Sequence, residues 1–127
     1  MSEKEKFFDL ASKVSKELLK LNKRHIHLEN TIYNEHFELL DVKAENLEGI
    51  ASMNYTAANF FKQYIQPDFE TMCIYLDEIT AEQEKPDERP ESFYTDANKV
   101  LTKYQKDSKN LKKRMVLLQN TIMDARD

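Results

Sequence analysis

The chain has 127 residues, 40% of them apolar and 33% charged, with a formal net charge of −4, so it holds one domain built on one core. One glycine and three prolines leave too little turn material for a β-rich fold or a phosphate-cradling loop, while the aliphatic and aromatic content is too high for disorder. The acidic balance argues against nucleic-acid binding by the molecule as a whole, and the usage is that of long amphipathic helices.

From Phe7 the seam residues recur in alternating steps of three and four through Ala11, Val14, Leu18, Leu21, His25, Leu28, Ile32, Glu35, Leu39 and Val42. That spacing predicts one helix over about residues 4–48, with His25 and Glu35 as polar interruptions that fix register. A second column, Leu19, Ile26, Tyr33, Leu40 and Leu47, widens the stripe beyond a two-stranded seam and calls for a bundle of three or more helices. Gly49 stands where this pattern ends and reads as a helix end or sharp bend.

A second helix is predicted over about residues 50–82, kinked or restarted at Pro67, because proline removes a helical hydrogen bond and crowds the preceding turn. The aromatic set Tyr55, Phe60, Phe61, Tyr64, Phe69 and Tyr75 gathers about that bend, either to fill a wide core or to line a groove for a partner segment. Cys73, the single cysteine, lies in the apolar stretch Met72-Cys73-Ile74-Tyr75-Leu76 and reads as a buried thiol in a reducing compartment. Residues 83–90 are polar, contain Pro86 and Pro90, and form the expected loop. A third helix follows over about residues 91–125, its seam running through Tyr94, Ala97, Leu101, Tyr104, Ser108, Leu111, Met115, Leu118, Ile122 and Ala125. Connections this short favour antiparallel neighbours, so the expected fold is all-α: an elongated antiparallel three-helix bundle or coiled coil with a kinked second helix.

Residues 21–32 match residues 111–122 at a constant offset, sharing Leu, Lys, Arg, Leu, Asn, Thr and Ile at equivalent places. Duplication and convergence of two helices in one register both account for it, and the offset is far longer than a solenoid period.

The three histidines, His25, His27 and His36, lack the Glu-x-x-His and His-Glu-x-x-His spacings of helical metal sites. The predicted loop offers no nucleophile, base or oxyanion donor set. No catalytic residue, metal ligand or cofactor site is therefore expected, and the chain is read as a non-enzyme. The opening Met1-Ser2-Glu3-Lys4 is not a signal-peptide pattern. The longest aliphatic run, Met115-Val116-Leu117-Leu118, falls far short of the about 20 apolar residues of a spanning helix. A cytoplasmic or nuclear protein is expected.

A first helix of about 45 residues would outlast neighbours of about 35, leaving part of its apolar face to pair with another chain, by self-association or in a hetero-oligomer. The function this implies is a non-catalytic scaffold or adaptor subunit docking through coiled-coil contacts. Its candidate interface comprises Phe7, Phe8, Leu18, Leu21, His25, Leu28, Ile32, Leu39 and Val42, with Leu111, Met115, Leu118 and Ile122 as the matching face. Alternatives are a secretion or folding chaperone that holds a client segment, and a membrane-surface or nucleic-acid adaptor. The latter would bind anions through Lys99, Lys103, Lys106, Lys113 and Arg114, in a stretch with seven basic residues and one acidic one.

Overall fold

The computed structural model describes residues 2–84 and 89–126, and the fold is an all-α bundle carrying one small β-hairpin. Helix α1 spans Glu3–Asn34. Its start is set by Ser2, whose hydroxyl accepts the Glu5 backbone N–H at 3.1 Å, in a Ser-x-x-Glu capping pattern. Its end is set by His36, whose φ of 62° is left-handed. Histidine is one of the few side-chain-bearing residues enriched in that conformation. The turn lets the Phe37 N–H reach back to the Ile32 carbonyl at 2.9 Å, the closing bond of a Schellman-type helix end.

The helix expected to run to about residue 48 therefore stops at Asn34, and the chain that follows is extended. Strands β1 (Asp41–Ala44) and β2 (Met53–Thr56) pair antiparallel, Val42 against Tyr55 and Ala44 against Met53. Val42 and Ala44 face the core while Asp41 and Lys43 face solvent, a period of two rather than three and four. Gly49 is neither a helix cap nor a kink. It sits in the loop joining the strands at a φ of +78°, and Asn46 in the same loop is also left-handed.

Helical structure resumes at Ala57, later than the predicted residue 50. The short helix α2 (Ala57–Phe60) is capped by the Thr56 hydroxyl, which accepts the Asn59 N–H at 3.2 Å, and passes through a π-helical turn (Phe61–Ile65) into α3 (Gln66–Glu84). The wide turn falls just ahead of Pro67, where an ordinary helix would drive the proline ring into the Gln63 carbonyl. The bend expected at Pro67 is thus taken up one turn earlier as a bulge. Residues 85–88, the centre of the expected loop, lie outside the described residues. Helix α4 spans Glu91–Arg126, close to its predicted bounds.

Helices α1 and α4 run parallel, with α3 antiparallel to both. The Asn98 amide donates to the Glu3 carbonyl at 3.0 Å near one end, Arg24 Nη1 donates to Gln119 Oε1 at 2.6 Å, and Arg126 holds the Glu35 carboxylate at 2.6 and 2.7 Å at the other end. On α3, the Phe69 ring meets His25, and Tyr75 stacks on Tyr104 at 3.7 Å. The up-down-up order read from the short connections holds. The repeated segments 21–32 and 111–122 lie beside each other, Leu28 and Ile32 on one helix and Leu118 and Ile122 on the other entering the same core.

Candidate functional site

With α1 32 residues long and α4 36, the first helix does not outlast α4, which lies alongside it from Glu3 to Glu35, so the overhang of a 45-residue helix that was to carry the interface does not form. The interface residues proposed from the heptad pattern are largely occupied within the chain. Phe7, Leu18, Leu21, His25, Leu28, Ile32, Val42, Leu111, Met115, Leu118 and Ile122 are all buried in its own core. Phe7 packs on Tyr94 and Phe93 at the start of α4. Of that set only Phe8 and Leu39 are exposed, and Leu39, 85% exposed, belongs to the link between α1 and β1 rather than to a helix seam.

The aromatic set about Pro67 closes inward. Phe60, Phe61 and Phe69 are buried, and the Tyr55 and Tyr64 hydroxyls lie 3.1 Å apart. Glu35, expected as a polar seam position, is exposed and paired with Arg126. His25, expected as a polar interruption of the seam, is buried within the chain, stacked on Phe69 with ring centroids 4.2 Å apart and an interplanar angle of 16°, and tilted against Phe61. Its Nε2 has no hydrogen-bond partner. Desolvation lowers its pKa below the ordinary 6.5, against the opposing pull of Glu29 and Glu70.

The candidate anion-binding residues are only partly free. Arg114 turns inward: its guanidinium pairs with the Asp68 carboxylate and donates to the Tyr64 carbonyl at 3.1 Å and the Glu48 carbonyl at 3.1 Å. Lys103 reaches Asp107 at 3.5 Å and Lys106 reaches Glu48 at 3.8 Å. Lys99 and Lys113 are exposed. What looked like a basic face is in part a clamp that fastens the hairpin loop and the start of α3 to α4.

One apolar surface that remains open is the outer flank between α1 and α3. On these two helices Leu19, Ile26 and Ile74 are 56%, 51% and 59% exposed, among the largest apolar exposures in the described chain. Between the two helices lies a hollow of about 200 Å³ lined by Leu18, Leu19, Asn22, Phe69, Cys73, Leu76 and Asp77. Cys73 is exposed on this flank rather than buried, because the core line of α3 runs through Phe69, Met72, Leu76 and Ile79 and passes it by. Partial desolvation and the carboxylates of Asp77 and Glu70 push its thiol pKa up, so it rests as a neutral thiol and a weak nucleophile. Leu19 and Ile26 belong to the second apolar column of α1, the signal in the sequence that marked this flank. Ile74 lies outside any heptad pattern and gave none.

Among the described residues no group of three or more His, Cys, Asp and Glu side chains is placed to hold a metal ion, and no helix is long and apolar enough to cross a membrane. No protein-family model, curated protein or solved structure matches the chain.

Proposed function

We propose that the chain is a non-catalytic scaffold or adaptor subunit that acts by helix docking, and that the outer α1/α3 flank is its docking face. The observation that carries this reading is the exposure of Leu19, Ile26 and Ile74 on the two helices whose Leu19, Phe69, Cys73 and Leu76 line one hollow. Helix-sized apolar strips of this kind on a small protein mark interaction surfaces. The other readings draw less support. The aromatic residues that would hold a client segment are used in the core, and three of the five candidate anion-binding residues already face carboxylates.

The test compares the unaltered chain with a Leu19→Asp, Ile74→Asp double variant of equal helical content. Both are used for affinity capture from the native lysate, and both are weighed alone by light scattering. The unaltered chain is expected to self-associate or to retain a partner at fixed stoichiometry, and the variant to lose it, since charge buried in an apolar contact is costly. A chain that is monomeric and captures nothing, or a variant that associates as well as its parent, overturns the reading.

A further inference from the structure

The docking face carries two charged banks. On α1, Lys16, Lys20 and Lys23 border Leu19 and Ile26, and all three lysines are exposed. On α3, Glu70 and Asp77 border Cys73 and Ile74, again exposed, and residues 66–84 contain no lysine or arginine at all. None of these five charges forms an ion pair within the described chain.

The levels of the two banks match. The His25 ring lies on Phe69, and Leu18 and Leu19 share a hollow with Leu76 and Asp77, which fixes how far along the rod each residue of α1 lies relative to α3. Going back along α1 from Lys23 to Leu19 to Lys16 takes steps of four and three, as does going forward along α3 from Glu70 to Ile74 to Asp77. Lys23 is therefore level with Glu70, Leu19 with Ile74, and Lys16 with Asp77.

A face with a basic and an acidic bank at equal levels is complementary to its own copy, which an isologous contact requires. We infer that the α1/α3 flank binds a second copy of this chain. The two-fold axis runs along the bundle, so that α1 of each copy lies antiparallel against α3 of the other. Leu19, Ile26, Cys73 and Ile74 form the apolar seam of the resulting four-helix contact. Lys23 faces Glu70 of the second copy, and Lys16 faces its Asp77. The alternative two-fold, with α1 against α1, sets three lysines against three lysines and is disfavoured by repulsion. The inference rests on the helix-docking reading and names its partner.

The full-length chain is weighed by sedimentation equilibrium over a broad concentration range. Three exchanges are compared, each checked for unchanged helical content: Leu19→Asp with Ile74→Asp, Lys16→Glu with Lys23→Glu, and Glu70→Lys with Asp77→Lys. The unaltered chain is expected to form dimers, the apolar variant to weaken them by about tenfold or more, and each charge variant alone to be monomeric. An equimolar mixture of the two charge variants is expected to restore a heterodimer, because each then offers the sign that the other lacks. A dimer that resists all three exchanges, or charge variants that fail to pair when mixed, overturns this geometry. A chain that is monomeric alone but still captures a different protein through Leu19 and Ile74 overturns self-pairing and leaves the docking reading standing.

Discussion

His25 is the residue whose setting most departs from its chemistry. It is a titratable ring held between two phenylalanines with one nitrogen unpartnered. Burial favours the neutral form, so its folded pKa lies below the ordinary 6.5 of the unfolded chain. The unfolded state then takes up the proton first as the solution is acidified. Stability is undiminished above about pH 6.5 and declines as the pH falls from there toward the folded pKa. The urea midpoint is expected to drop between about pH 8 and about pH 5, and His25→Met, which places there the residue found at the equivalent point of α4, is expected to flatten that drop. Equal slopes for parent and variant would remove His25 as the cause. Two other aspects of this residue differ in how readable they were. A polar residue on the seam was visible in the sequence, whereas its stacking partner Phe69 depends on how the π-helical turn rotates α3 and could not be read from spacing.

Among the elements, α4 and about the first two-thirds of the predicted first helix were legible, because an apolar step of three and four sustained over many turns has no other simple explanation. The hairpin was not. Glu35, Leu39 and Val42 happen to continue the heptad count, and no glycine interrupts it, so the pattern carried on through a real helix end. The competing signal was present in Leu40, Val42 and Ala44 alternating with Asp41, Lys43 and Glu45, a strand period too short to outweigh four preceding heptads. The stop itself rests on His36, a residue that accepts the left-handed turn at a cost that glycine avoids. His36→Gly is expected to raise stability by about 1 kcal/mol, seen as a higher urea midpoint with unchanged helical content. A loss of stability would mean that the imidazole contributes a contact of its own at the turn.

At the scale of the whole molecule, Arg114 joins pieces that the chain order keeps apart: the hairpin loop through Glu48, the π-helical turn through Tyr64, the start of α3 through Asp68, and α4 itself. Arg114→Met is expected to cost about 2–3 kcal/mol, because it leaves a carboxylate and two carbonyls without their donor. Hydrogen exchange is expected to quicken in the hairpin before it does in α1. Exchange that quickens uniformly would assign the loss to general packing instead.

The parallel course of α1 and α4 has a consequence for orientation. Ser2 lies at the pole of Glu91, and Arg126 at the pole of Glu35, so the first and last described residues emerge from opposite ends of a rod roughly 48 Å long, the length of a 32-residue helix. In the dimer proposed above, the two-fold axis along that rod keeps both copies pointing the same way. The assembly then has a head and a tail, with two identical attachment points at each, and anything fused to one end is held a fixed distance from anything fused to the other.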